Sequence, residues 1–138
     1  MAREIETKCI HLEEEENSIN HYGAISYPIY QSATYAHPGV GQSTGYDYSR
    51  LQNPTREHLE KTVASLENGI DALAFSSGMA AITLMMELFK PGDHLIVDAD
   101  LYGGSIRLFN HVSEKNRIEF SSVDCHNENV AAYIRENT

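Results

Sequence analysis

The chain has 138 residues, 41% hydrophobic and 22% charged, a composition that suits one globular domain and excludes fibrous and disordered classes. Ten Lys and Arg against 20 Asp and Glu leave a net charge of −10, which argues against a nucleic-acid partner, since phosphate neutralisation needs clustered cations. No apolar run reaches membrane-spanning length, so no membrane partner is expected.

The opening "MAREIETKCIHLEEEEN" carries acids where a secretory signal needs an apolar core. Cys9 and Cys125 fit no CxxC or zinc spacing, and with that N-terminus they read as two thiols of a cytoplasmic protein. A short helix is expected over about Glu4 to Leu12, then the solvated acidic run Glu13 to Glu16. Next comes "HYGAISYPIYQSATYAHPGVGQSTGYDYSRLQ", with Pro28 and Pro38 and no period of 2 or 3.6. A segment this long without regular structure is usually functional or disordered, and its many tyrosines argue against disorder. Residues 1–52 therefore read as an irregular arm that packs on something else.

Near the end of that arm, Arg50 offers a planar fork of donors suited to an anion, and Tyr48 adds a hydroxyl. An extended backbone would point Tyr46, Tyr48 and Arg50 the same way. The plainer fate for Arg50 is pairing with one of the many surface acids.

From residue 53 the pattern becomes regular. Asn53 is a good N-cap, Pro54 suits the first helical position, and Leu59, Val63 and Leu66 recur at helical spacing before Gly69. Then "DALAFSS" reads as a buried strand and "GMAAITLMMELF" as an apolar helix stopped by Pro91-Gly92. A second strand in "DHLIVD", a helix over Ser105 to Glu114, a third strand in "RIEFSSVD" and a third helix in "NENVAAYIREN" complete the order. Strand–helix three times predicts an α/β domain with a mostly parallel sheet over residues 53–138. Three strands make a thin sheet, and a fourth is expected just after "RENT", so the chain reads as the front end of a longer protein.

The strand-to-helix joint "AFSSGMAA" is the first chemical cue. Ligands of open α/β sheets sit beyond the carboxyl ends of strands, and a helix N-terminus offers unpaired N–H groups to phosphate. The same small residues also serve a tight packing turn. Neither a Walker sequence nor GxGxxG is present, and a nucleotide-phosphate binder would lack both the lysine and the ribose-binding acid. Tyr102, directly after the next strand, falls on the same sheet edge as Ser77, Gly78 and Met79. Its ring either covers a flat heterocycle or caps the core with its hydroxyl in water. Seven scattered histidines form no HxxxH pair or Cys/His cluster, so no metal site is expected. Ser76 and Ser77 lack the flanking glycines and base of a hydrolase nucleophile.

"YSRLQNPT", "SSGMAA" and "PGDHLIVDADLYGG", in this order and spacing, resemble the pyridoxal-phosphate enzymes of cysteine and methionine metabolism. This transsulfuration family includes cystathionine γ-synthase, cystathionine γ- and β-lyases, methionine γ-lyase and O-acylhomoserine sulfhydrylase. "GAISYPIYQSATY" is similar to the family's arm, so the resemblance covers essentially the whole chain. It implies the start of an aspartate-aminotransferase-like (fold type I) domain and the cofactor pyridoxal 5'-phosphate. It further implies that the backbone N–H groups of Gly78 and Met79 hold the cofactor phosphate. Tyr102 would stack on the pyridine ring and exchange a proton with the substrate amine or leaving group, which makes it the catalytic candidate. Tyr48 and Arg50 would reach the phosphate of a neighbouring subunit in a homo-oligomer, a dimer of dimers. The implied chemistry is β- or γ-elimination, or γ-replacement, on sulfur amino acids or O-acylhomoserine.

In the family the cofactor-bearing lysine lies further on, in a Ser-x-Thr-Lys context that Lys8, Lys61, Lys90 and Lys115 do not match. The 138 residues alone are thus expected to be inactive, and a non-catalytic assembly module is the rival reading. Methionine γ-lyases usually carry cysteine two residues after the stacking tyrosine; here that position is Gly104, which counts against that member.

Overall fold

The computed structural model describes residues 4–11, 24 and 26–138; the acidic run Glu13 to Glu16 and Leu12 lie outside them. The chain forms two compact units, Met1–Ala74 and Phe75–Thr138.

The first unit contains a single helical turn, α1 (Ile5–Lys8), and the helix α2 (Pro54–Leu66). The start of α2 follows from its sequence. Asn53 has an extended backbone, its side-chain oxygen accepts the N–H groups of Thr55 and Arg56, and Pro54 supplies a first residue with no N–H to satisfy. Lys8 Nζ donates to the Ser65 carbonyl, which fastens α1 to α2. The arm runs back on itself. Thr34 and Tyr48 form an isolated antiparallel bridge, flanked by Tyr35 N–H to Asp47 O and Ser49 N–H to Ala33 O. The intervening loop turns at Gly41 and Gly45, whose φ angles of 74° and 96° favour glycine.

The second unit contains α3 (Gly78–Met86), β1 (His94–Asp98), α4 (Gly103–Asn116) and β2 (Glu119–Val123). The two strands pair in parallel from His94 opposite Glu119 to Asp98 opposite Val123, with α4 as the crossover. Its core is Met86, Val112 and Ile118, packed by Phe89, Leu95, Leu108, Phe109 and Phe120. The Phe109 and Phe120 rings stack at 5.0 Å. Arg117 takes the left-handed conformation that ends α4, and its carbonyl accepts the Gly92 N–H, so one turn aligns both strand starts. Buried His94 is bonded at both ring nitrogens, to Thr138 Oγ1 and Ser121 Oγ, which ties the last residues to the sheet.

Three sequence expectations are corrected. "DALAFSS" is not a strand: no described segment pairs with it, and the N–H groups of Ala72 and Ala74 go to the side chains of Asp71 and Glu60. An apolar run supplies strand side chains, but a ladder needs a neighbouring backbone as well. The expected last helix is only a 3-10 helix, Val130–Tyr133. Short polar side chains compete with helical bonding there: Asn129 Oδ1 takes the Ala131 N–H, and Asp124 Oδ1 takes those of His126 and Asn127. Finally, α3 ends at Met86, with Glu87 to Phe89 in tightened turns ahead of Pro91. The observed sheet is therefore one β–α–β unit rather than three strands.

Candidate functional site

In the second unit, Ser77 caps α3 by accepting the Ala80 N–H at its Oγ, 3.1 Å away, while the Ala81 N–H bonds the Ser77 carbonyl. The N–H groups of Gly78 and Met79 have no acceptor among the described residues. A carbon added at Gly78 would meet nothing within 4 Å, so this glycine is uncrowded. Two free donors at the positive end of a helix are of the kind that suits an anion such as phosphate.

Tyr102 stands at the same corner. Its carbonyl accepts the Ser105 N–H at the start of α4, and its side chain is 71% exposed. A carbon at Gly104 would lie 2.5 Å from Cε1 of Tyr102 and 3.2 Å from Sδ of Met79. The missing side chain at Gly104 thus gives the tyrosine ring its seat beside Met79. Buried Ser105 completes the corner with a long contact, 3.8 Å, from its hydroxyl to the Met79 sulfur. The structure therefore brings Gly78, Met79 and Tyr102 together. An exposed ring beside free amide donors can cover a flat ring whose phosphate those donors hold.

Tyr48 and Arg50 belong to the first unit, and there they form a pair of their own. The Arg50 guanidinium lies 5.1 Å from the centre of the Tyr48 ring. The expected extended backbone is a turn instead: the N–H groups of Leu51 and Gln52 both bond the Tyr48 carbonyl. Tyr46 does not join the pair; its hydroxyl donates to the Glu57 carboxylate on α2. Burial first, and that bond second, push the Tyr46 hydroxyl well above its usual range. In a chain of net charge −10, Arg50 has no ion pair among the described residues. The other arginine of this stretch, Arg56, is used internally, bonding the Ser49 and Leu51 carbonyls and lying 3.6 Å from Glu60. Arg50 is thus held in place by an aromatic ring and left available to an anion.

What sequence reasoning missed is the second use of Asn53. Its oxygen caps α2, as expected, but its nitrogen bonds Tyr30 O, Tyr35 Oη and Ser49 Oγ at 3.1, 3.2 and 2.9 Å. Only the fold of the arm onto α2 brings those oxygens there. An open groove beside α2, lined by Arg56, Glu57, Glu60, Lys61 and Asp71 among others, includes neither Tyr48 nor Arg50. Its charges pair across the helix surface, Lys61 to Glu57 at 2.8 Å, which leaves it no strong preference for an ion. Among the described residues no group of His, Cys, Asp and Glu is arranged to hold a metal, and no helix is long and apolar enough to cross a membrane.

The fold is an α/β unit with a parallel β–α–β core and a free helix start, and the chain before it carries the Tyr48–Arg50 pair. The family model of the Cys/Met metabolism PLP-dependent enzymes matches residues 6–138, and the chain belongs to that family. It is 48% identical over 130 residues to the cystathionine gamma-synthase/O-acetylhomoserine (thiol)-lyase of Bacillus subtilis, covering 91% of this chain and 34% of that protein. It is 51% identical over 117 residues to the cystathionine gamma-lyase of the same organism, covering 84% and 31%. Among solved structures, yeast cystathionine gamma-lyase is similar with a TM-score of 0.81 and 34% identity, over 100% of this chain and 35% of that one. Cystathionine gamma synthase from Xanthomonas oryzae pv. oryzae, in complex with aminoacrylate and cysteine, gives a TM-score of 0.77 at 35% identity, over 90% and 32%. The fold is therefore that of the fold type I pyridoxal-phosphate enzymes, and the chain spans about a third of the length of the relatives it matches.

Proposed function

We propose that this chain supplies the amino-terminal part of the cofactor site of a transsulfuration-type enzyme. The whole protein would act at the β- or γ-carbon of sulfur amino acids or O-acylhomoserine, by elimination or by replacement with a thiol. The observation that carries the reading is the corner where the free N–H groups of Gly78 and Met79 meet the exposed ring of Tyr102. Pyridoxal 5'-phosphate fits it: the two amides suit a phosphate and the ring suits a pyridine. When bound, that cofactor supplies an electron sink for a carbanion at the substrate α-carbon.

Within this scheme Gly78 and Met79 anchor the phosphate, and Tyr102 covers the ring. The Tyr102 hydroxyl would carry a proton to or from the substrate amine or the leaving group. Tyr48 and Arg50 add donors to the phosphate of a neighbouring subunit, with residues 1–52 as the arm that reaches it and residues 53–138 as the start of the cofactor domain. That requires a homo-oligomer, and the free pair on Arg50 and Tyr48 supports it. In this reading the lysine that carries the cofactor is none of Lys8, Lys61, Lys90 and Lys115. Leu84, Met85 and Leu88, exposed on and just after the otherwise apolar α3, suit burial against a further part of the enzyme. Two unpaired thiols suit a cytoplasmic location. The packed seat at Gly104 leaves no room for a cysteine without moving the Tyr102 ring, which disfavours a methionine γ-lyase.

The test is the full-length protein incubated with pyridoxal phosphate, read by near-visible absorbance, borohydride trapping and product formation from O-acylhomoserine with cysteine, and from cystathionine. A borohydride-sensitive yellow band with turnover of either substrate is expected. A full-length protein with no such band would sink the proposal.

A further inference from the structure

Asn53 sits where the arm meets α2, and its side chain faces both ways. Oδ1 accepts the Thr55 N–H at 2.9 Å and the Arg56 N–H at 3.4 Å, which is helix capping. Nδ2 shares its two protons among the Tyr30 carbonyl, the Tyr35 hydroxyl and Ser49 Oγ. The directions of the remaining bonds follow. Ser49 gives its own proton to the Ser32 carbonyl, so in the 3.3 Å contact between Tyr35 and Ser49 the tyrosine donates. The network thus closes on Ser49, next in sequence to both Tyr48 and Arg50.

Two further contacts lock the same place. Arg56, one turn into α2, bonds the carbonyls of Ser49 and Leu51, the residues on either side of Arg50. Thr55 Oγ1 accepts the Tyr30 N–H at 2.8 Å and donates to the Pro28 carbonyl at 3.2 Å. The first turn of α2 therefore holds both strands of the arm that carry the Thr34–Tyr48 bridge.

We infer that Asn53 is a positioning residue: its amide nitrogen fixes the turn that presents Tyr48 and Arg50 to the phosphate, separately from the capping done by its oxygen. This rests on the reading of Tyr48 and Arg50 as a phosphate clamp. Asparagine suits the double task because it carries an acceptor and a donor on one short planar group. Aspartate would keep the cap but set a carboxylate oxygen against the Tyr30 carbonyl, and against a serine whose proton is already committed. The clamp would then lose its brace while α2 keeps its start.

The experiment compares Asn53→Asp, Asn53→Ala and Arg50→Ala in the full-length protein. It reads amide hydrogen exchange at Tyr30, Tyr35 and Ser49, the unfolding midpoint, and the affinity for pyridoxal phosphate relative to phosphate-free pyridoxal. Asn53→Asp should exchange faster at those three amides and keep its unfolding midpoint. It should also lose about tenfold in preference for the phosphate form, the scale of one charge-assisted bond. Asn53→Ala should add a lower midpoint, because the cap goes too. Unchanged exchange in Asn53→Asp overturns the inference, as does unchanged phosphate preference while Arg50→Ala loses it. If Arg50→Ala itself keeps the preference, the clamp reading fails and the positioning role falls with it.

Discussion

The two units of this chain are held together by different forces. In Phe75–Thr138 an apolar β–α–β core does the work, with Ile118 and Val123 almost wholly out of water. In Met1–Ala74 the only buried side chains described are Pro54 and Ala64 on α2, and the arm is fastened by side-chain hydrogen bonds from Asn53, Thr55 and Arg56 and by one that Glu57 accepts from Tyr46. Apolar burial is non-directional and depends on how much surface leaves water. Hydrogen bonds of exposed groups are weak but fix direction, since each contributes only when its geometry is met. The packed unit thus carries Gly78, Met79 and Tyr102 at the edge of an apolar core. The tethered unit aims two side chains, Tyr48 and Arg50, at little cost in material.

Substitutions should separate the two modes. Ile118→Ala should show the largest effect, roughly 2–5 kcal/mol of stability by denaturant unfolding, because it opens a cavity in the core. Hydrogen exchange in residues 28–50 should change little; equal loosening of the arm would show the two units to be one cooperative block. Next, with Tyr102 as the proposed proton carrier, Tyr102→Phe should keep cofactor binding and lower turnover about a hundredfold, since the ring stays and the hydroxyl goes. Loss of binding with turnover per bound site unchanged would assign the hydroxyl to binding instead. Arg50→Ala should raise the dissociation constant for pyridoxal phosphate about tenfold and leave the core untouched.

The smallest effect is a pH dependence of the arm. The ion pair with Lys61, and then the bond from Tyr46, hold the Glu57 carboxyl below its ordinary value of 4.5. A depressed carboxylate contributes its stability above the unfolded value and loses it as pH falls through the lower folded one. The Tyr46 tether should therefore be intact at neutral pH and weaken only below about pH 4.5, by less than about 1 kcal/mol because the pair is part-exposed. Glu57→Gln should remove that dependence, as followed by the Tyr46 signal in an acid titration.

Much of this was legible in the sequence where the cause is local. The α2 cap at Asn53 and Pro54, the two strands "HLIVD" and "EFSSV" and the crossover helix between them all follow from neighbours within a few residues. Where a distant partner decides, reading along the chain failed. "DALAFSS" has the side chains of a strand, yet its amides bond to Asp71 and Glu60 because no described strand lies alongside. The last helix failed for a local reason instead: the side chains of Asp124 and Asn129 took amides two or three residues away that a helix would need.

The candidate site divides the same way. Residue types alone left Gly78, Met79, Tyr102, Tyr48 and Arg50 with plainer structural readings, and it is the resemblance carried by "YSRLQNPT", "SSGMAA" and "PGDHLIVDADLYGG" together that singles them out. Two things needed the tertiary structure: the seat for the Tyr102 ring over Gly104 and the second face of Asn53. Capping and turn chemistry act over three or four residues and are written in the sequence. A ring's seat, or a hydrogen bond to Tyr30 from Asn53, exists only once segments 20 or more residues apart have folded together.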